Sequence, residues 1–191
     1  MFYINDANTT CERNVFMNDY CLKRNLRFFS FDLFCYGKSR GCHHSTEHFL
    51  LTDHVKQAIE VFVYAKENFF PDDKIIFAGE GFGAQICLLV MRDHIFMKLM
   101  NFSAVLLHNA TVDCESSSRY LYHNVLTDKD KIDLQAKGNL YKFYNNERFH
   151  LNRNYIRDCV EYCTFLCDSQ NVLRYVIPWT IVQDFENDFI T

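Results

Sequence analysis

The fold of this chain is decided by the stretch Lys74-Ile75-Ile76-Phe77-Ala78-Gly79-Glu80-Gly81-Phe82-Gly83-Ala84-Gln85-Ile86-Cys87-Leu88-Leu89-Val90. An apolar run, three alternating glycines and a second apolar run predict a strand, a tight turn and a helix. Gly79, Gly81 and Gly83 have the spacing of G-x-S-x-G, the turn that presents a nucleophilic serine between a strand and a helix. The middle position, where that serine would stand, is Gly81.

Apolar runs and amphipathic stretches alternate on both sides of this turn. Strands are predicted at 1–4, 26–32, 74–78, 103–108 and 175–182, and helices at 11–24, 45–69, 82–100, 127–136 and 154–167. Helices between successive strands imply right-handed crossovers, so the pattern predicts an α/β fold with a mostly parallel sheet and helices on both faces. Residues 110–173 break the alternation and are interpreted as a helical lid insertion within one domain that covers residues 1–191.

Composition excludes several classes of protein. The chain has 191 residues, is 49% hydrophobic and 23% charged, and is therefore expected to form one globular domain with a sizeable core. Its net charge is −4 and its Lys and Arg residues are scattered, so we expect no nucleic-acid interface. No apolar run approaches the roughly 20 residues of a membrane span, and the first residues lack the pattern of a signal peptide.

The nine cysteines are odd in number and irregularly spaced, which favours free thiols in an intracellular, reducing compartment over a disulfide framework. Three of them recur at helical spacing and are interpreted as a buried seam rather than a redox or metal device. These are Cys159, Cys163 and Cys167.

A cluster of possible zinc ligands lies within seven residues and consists of Cys42, His43, His44 and His48. Its spacing fits no standard zinc site, and no second ligand pair is evident. A solvated loop and helix start is the favoured interpretation, and no metal or cofactor is expected.

The functional site is expected where the predicted strands end. In open parallel sheets, ligands bind in the loops at the carboxyl ends of the strands. Those loops are Asn5-Asp6, 32–41, 79–83, 108–113 and 183–188.

Three segments, in this order, resemble one known fold. Residues 31–41 are similar to an F-D-x-x-G-x-G-x-S-x-G loop, with Cys35 in place of one glycine, and residues 79–83 match the nucleophile elbow. Residues 177–188 are similar to an I-P-x-x-x-x-H-G-x-x-D strand and loop. Together they resemble the α/β-hydrolase fold, in the serine hydrolases of esters and thioesters. The branch that the chain resembles, also in segments 126–138 and 154–167, is the mitochondrial palmitoyl-protein thioesterase branch of α/β-hydrolase-domain proteins.

The resemblance implies a triad of serine, histidine and acid, which this chain does not preserve. The nucleophile position is Gly81, and the acid position is Asn187, with Asp188 one residue beyond. The strand that precedes the family's histidine would follow the last residue of the chain. The oxyanion-hole turn is replaced by Ile4-Asn5, so Asn5 and the backbone amide of Phe82 are the expected remnant of an anion-binding nest.

Three other acidic residues follow predicted strands. Glu80 is expected to point under the sheet, away from substrate, and Asp32 to support loops through backbone hydrogen bonds. Asp113 stands where some relatives carry an alternative acid, which has little consequence without a nucleophile.

The sequence therefore predicts a pseudoenzyme of the α/β-hydrolase fold. It would be retained to bind an acyl or other small apolar ligand, or a protein partner that completes the sheet of a larger assembly. The alternative is an active serine-type thioesterase or carboxylic ester hydrolase whose sequence is incomplete or divergent. A mitochondrial location is implied by the resemblance alone.

Overall fold

The computed structural model describes residues 1–6, 9–34, 36, 38–39, 50–110, 119–144, 147–166 and 179–182. The strands are β1 (Phe2–Ile4), β2 (Phe29–Phe31), β3 (Ile75–Glu80), β4 (Phe102–His108), β5 (Asn139–Tyr144), β6 (Glu147–Asn152) and β7 (Trp179–Val182). The helices are α1 (Val15–Lys23), α2 (Leu51–Phe69), α3 (Phe82–Val90), α4 (His94–Met100), α5 (Asp128–Lys137) and α6 (Tyr155–Leu166). Short 3-10 and π-helical turns cover Cys11–Arg13 and Leu121–Val125.

A parallel sheet organises the described part of the chain. Its strand order is β2-β1-β3-β4-β7, and each neighbouring pair is parallel. Each of these strands overlaps a predicted one, so the predicted α/β class is confirmed. The predicted residues 175–178 lie outside the described residues.

One face of the sheet carries the aromatic core. Alternate strand residues point to the same face, which places Phe2 and Phe77 together against α2 and α4. Phe62 of α2 is fully buried, stacks on Phe2 at 4.9 Å between ring centroids, and meets Phe77 edge-on at 5.3 Å. On the opposite face, Asn14 at the start of α1 donates to the Ser30 hydroxyl at 3.3 Å.

The predicted helix 82–100 is two helices in the structure. α3 ends at Val90, and Asp93 starts α4 by accepting hydrogen bonds from the amides of Ile95 and Phe96 at 2.9 and 2.8 Å. The apolar pattern continues across the break, so it does not reveal the cap that ends one helix and begins the next.

The start of α2 was expected at Ser45, which lies outside the described residues. The described helix begins at Leu51, where Asp53 Oδ2 accepts the Leu50 amide at 3.3 Å. Its end at Phe69 is the predicted one.

The segment interpreted as a helical insertion is only partly helical. α5 and α6 lie where helices were predicted, but the antiparallel pair β5–β6 separates them, and this hairpin was not predicted. Only residues 148–152 alternate polar and apolar side chains with the period of two that indicates a strand, whereas Leu140-Tyr141 and Phe143-Tyr144 interrupt that period in β5. A small second core of Leu126, Leu134 and Leu151 joins the hairpin to its helices. The role of the segment as a lid stays a prediction.

The structure bears on three expectations from the sequence: membrane spans, cysteines and metal sites. Among the described residues, no helix has the length and apolar character that crossing a bilayer requires. Cys11, Cys21 and Cys87 are free thiols. Cys159 of the predicted seam is buried, and the side chains of Cys163 and Cys167 lie outside the described part of the chain. The described ranges contain no group of three or more His, Cys, Asp or Glu residues able to hold a metal ion. The cluster at 42–48 lies outside them.

Candidate functional site

Gly81 forms the turn that joins β3 to α3. Its backbone has φ 53° and ψ −121°, a conformation that residues with a Cβ atom rarely adopt and that glycine adopts without steric cost. The Gly81 amide donates to the carbonyl of His108 at 2.9 Å, which ties the turn to the end of β4. The geometry of a nucleophile elbow is therefore present at a residue without a side chain.

The flanking glycines let three backbone segments approach each other closely. A Cβ atom on Gly83 would lie 2.3 Å from the carbonyl oxygens of both Ile4 and Asn5, so the end of β1 runs against the first turn of α3. A Cβ atom on Gly79 would lie 2.8 Å from Ala84 N and Cys87 Sγ, so α3 also packs directly on β3. Both glycines are needed for close approach rather than for an unusual φ.

The carboxylate of Asp6 lies directly over Gly81. Its Oδ1 atom accepts the backbone amide of Phe82 at 2.8 Å, and a Cβ atom on Gly81 would lie 2.4 Å from that same oxygen. The Asp6 carbonyl accepts hydrogen bonds from the amide and hydroxyl of Thr9, at 3.1 and 3.0 Å. The space of a nucleophilic side chain is thus occupied by a carboxylate from the loop after β1.

The two predicted members of the anion nest are placed differently by the structure. The Phe82 amide faces a negative group, which is the carboxylate of Asp6. Asn5 is 2% exposed, and its side-chain Oδ1 accepts Asn14 Nδ2 at 2.6 Å, on the side of α1. The other predicted site residues, Asn187 and Asp188, lie outside the described residues, as does Asp113.

Asp32 supports the surrounding loops, as expected. Its Oδ1 accepts the Cys11 amide at 2.6 Å and its Oδ2 accepts the Lys38 amide at 2.8 Å. The Ser39 hydroxyl donates to its carbonyl at 3.0 Å. This carboxylate is engaged in holding backbone.

Glu80 points to the face of the sheet opposite α3, also as expected. It follows Gly79, which contacts α3, and neighbouring strand residues face opposite ways. The Tyr3 hydroxyl donates to Glu80 Oε2 at 3.0 Å, and His108 Nδ1 lies 3.4 Å from Glu80 Oε1. Burial, and then the charge of Glu80, raise the pKa of Tyr3.

His54 is buried against Phe82, the residue that follows the Gly81 turn, and no sequence motif indicates it. It is 2% exposed, and its ring meets the Phe82 ring at right angles with 5.3 Å between centroids. Within the described part of the chain, its Nδ1 atom has no hydrogen-bond partner. Burial lowers the pKa of His54 to about 4, so the imidazole is neutral at pH 7.

This burial predicts an acid-sensitive fold. Between pH 6.5 and about 4 the unfolded chain binds a proton at His54 that the folded protein does not, so stability falls as the pH is lowered through this window. The loss from this one residue is expected to be on the order of 3 kcal/mol at its limit. Urea denaturation of wild type and His54→Leu between pH 4.5 and 7.5 measures it, and the variant should lose this part of the pH dependence.

The exposed His123 provides the control. His123→Leu should retain the wild-type pH dependence, because this substitution replaces an exposed side chain and leaves the buried His54 in place. Equal pH slopes for wild type and His54→Leu would show that the buried imidazole does not control the transition.

A cavity of about 350 Å³ lies away from the elbow. Its lining includes Cys11, Asn14 and Val15 near the start of α1, and Phe29 and Ser30 of β2. These polar and apolar side chains lie beside an edge strand of the described sheet, so the cavity is separate from the Gly81 turn.

This strand order occurs in several doubly wound α/β folds, and the glycine turn between the central strand and the following helix is the feature typical of an α/β hydrolase. Comparison with solved structures supports the same fold. The chain is similar to a putative hydrolase from Agrobacterium vitis S4, with a TM-score of 0.68 and 15% identity over 96% of this chain and 78% of that one. It is also similar to alpha/beta hydrolase domain-containing protein 10 from mouse, with a TM-score of 0.60 and 14% identity over 95% and 78%.

A third similar structure is the monoacylglycerol lipase of Paleococcus ferrophilus, with a TM-score of 0.58 and 8% identity over 96% of this chain and 82% of that one. Identities this low show the fold alone. No protein-family model and no curated protein sequence matches the chain. The superfamily resemblance is confirmed at the level of fold, and the thioesterase branch stays a prediction.

The arrangement at the elbow has a clear chemical limit. Acyl transfer by this fold begins with attack of a hydroxyl or thiol from the turn, and Gly81 offers neither. Asp6 and His54 are the two residues near the turn that sequence reasoning missed. The loop Asn5-Asp6 was identified as a strand end, but only the approach of β1 to Gly83 determines which of its residues reaches Gly81.

Proposed function

We propose that this protein of the α/β-hydrolase fold does not hydrolyse esters or thioesters through a serine triad and acts by binding. The observation that carries the proposal is Gly81, which keeps the backbone of the elbow and lacks the nucleophile. Losing one member of a triad typically costs several orders of magnitude in rate, so the turn alone supports no useful turnover.

The preferred ligand class is an acyl or other small apolar compound. One structural neighbour is a monoacylglycerol lipase, which suggests acyl glycerols as a first compound class. A protein partner that completes the sheet is the other binding candidate. The thioesterase branch and a mitochondrial location are supported by the sequence resemblance alone. An intracellular, reducing compartment is supported by the odd number and irregular spacing of the nine cysteines in the sequence.

The catalytic part of the proposal is tested with a fluorophosphonate probe and a p-nitrophenyl ester. Wild-type protein is expected to show no labelling and no turnover above a heat-denatured sample, because position 81 has no hydroxyl. Labelling that requires the native fold, mapped to a serine by peptide mass spectrometry, would instead establish an active serine hydrolase.

The binding part is tested with a short-chain monoacylglycerol. A saturable rise in the unfolding temperature is expected, since a ligand that binds only the folded state stabilises it. Glycerol at the same concentration is the matched control that lacks the acyl chain. Identical unfolding temperatures with both compounds would reject acyl glycerols as the ligand class.

A further inference from the structure

We propose that the Asp6 carboxylate is an internal lock on the elbow, which fills the space of a side chain at position 81 and takes the hydrogen bond of the Phe82 amide. The inference goes beyond the proposed function, because it assigns a role to a residue that no motif identifies and does not depend on any ligand.

The end of β1 lies close against the start of α3. The carbonyl oxygens of Ile4 and Asn5 pass within 2.3 Å of the Cβ position of Gly83, so the chain that leaves β1 is pressed against the first turn of α3. Asp6 is the next residue along, and its side chain therefore reaches over the neighbouring Gly81.

Asp6 is held in place through both its backbone and its side chain. Its carbonyl accepts the amide and hydroxyl of Thr9, and its Oδ1 accepts the Phe82 amide at 2.8 Å. The amide belongs to the first residue of α3, where the helix dipole favours a negative group. Backbone and side-chain contacts thus fix the same residue.

The contact with Asp6 also changes the chemistry of the turn. An amide that already binds a carboxylate is not free to stabilise an oxyanion. A side chain at position 81 would place its Cβ 2.4 Å from Asp6 Oδ1 and 2.6 Å from Asp6 Cγ, closer than atoms approach without displacement. The carboxylate also raises the pKa of any thiol introduced beside it, since like charges disfavour the thiolate. Asp6 therefore blocks the site by occupancy, by hydrogen bonding and by charge.

The test introduces a reporter nucleophile with Gly81→Cys, alone and combined with Asp6→Ala. Iodoacetamide alkylates a thiolate with release of iodide, and peptide mass spectrometry distinguishes position 81 from the native cysteines. Alkylation at position 81 is expected to be about tenfold faster or more with Asp6→Ala, because the thiolate gains the freed amide and the helix N-terminus. Equal rates in the two proteins would overturn the proposal.

The matched control is Asp93→Ala combined with Gly81→Cys. Asp93 caps α4 through two backbone amides, so its loss removes a comparable carboxylate at another helix start. This protein should react at the rate of Gly81→Cys alone, and an acceleration as large as that of Asp6→Ala would overturn the proposal.

A second measurement needs no residue at position 81. Hydrogen exchange of the Phe82 amide is expected to be about tenfold faster in Asp6→Ala than in wild type, and unchanged in Asp93→Ala. Unchanged exchange in Asp6→Ala would overturn the proposal even if Gly81→Cys did not fold. Native labelling of wild type by a fluorophosphonate would overturn the proposed function and leave this result unaffected.

Discussion

Gly83→Ala is expected to lower the free energy of unfolding by about 3 kcal/mol or more, at the upper end of what overpacking usually costs. The added methyl group would lie 2.3 Å from two backbone oxygens, those of Ile4 and Asn5. Backbone cannot rotate away as a side-chain end can, so β1 and α3 must separate. Guanidinium denaturation followed by circular dichroism measures the loss.

Gly138→Ala separates this collision from the general cost of replacing a glycine. Gly138 has φ 77° at the end of α5, and a Cβ atom there would meet nothing within 4 Å. Only conformational strain opposes the substitution, for an expected cost of about 1 kcal/mol. Equal losses at positions 83 and 138 would argue against close approach as the reason for glycine at 83.

Phe62→Ala is expected to cost about 3–5 kcal/mol, because it removes the ring at the centre of the core. Phe62 is fully buried, stacks on Phe2 and meets Phe31 and Phe77 edge-on at 5.3 Å. The cavity left behind would lie between α2 and three strands of the sheet. Urea denaturation gives the change in unfolding free energy.

Phe16→Ala is the matched control for the loss of an aromatic ring. Phe16 is 80% exposed on α1, so its removal should change stability by no more than about 0.5 kcal/mol. A large effect at Phe16 would mean that this ring is covered in solution. A small effect at Phe62 would contradict the core described above.

The sequence predicted those elements whose signals are local. The strand, turn and helix around Gly81 follow from an apolar run, alternating glycines and a second apolar run. α5 was also predicted, and its start carries a reciprocal cap, in which Thr127 Oγ1 accepts the Asp130 amide at 3.2 Å and Asp130 accepts the Thr127 amide at 2.9 Å. Such signals need no knowledge of the rest of the chain.

Elements were missed where two local signals competed. The break between α3 and α4 depends on the cap at Asp93, which the continuous apolar pattern hid. The β5–β6 pair lies in a segment interpreted as helical, and only residues 148–152 show the period of two that indicates a strand. The first error came from giving hydrophobicity more weight than capping, and the second from a strand signal that covers only part of the hairpin.

The candidate site likewise has features that follow from local sequence and features that depend on tertiary contacts. The absence of a nucleophile can be read from Gly81 directly, since it concerns the identity of one residue. The role of Asp6 could not, because its partner amide is 76 residues away and the contact exists only once β1 lies against α3. Burial of His54 likewise depends on tertiary packing against Phe82.

The contact between Asp6 and Gly81 also means that a single substitution would not restore a working elbow. A serine at position 81 would meet the Asp6 carboxylate, which would have to rotate away and give up its hydrogen bond with the Phe82 amide. A shorter residue at position 6 gives up the same hydrogen bond and creates room. With the proposed role of Asp6, a chain that carries this residue is one substitution further from a working elbow than its turn sequence indicates.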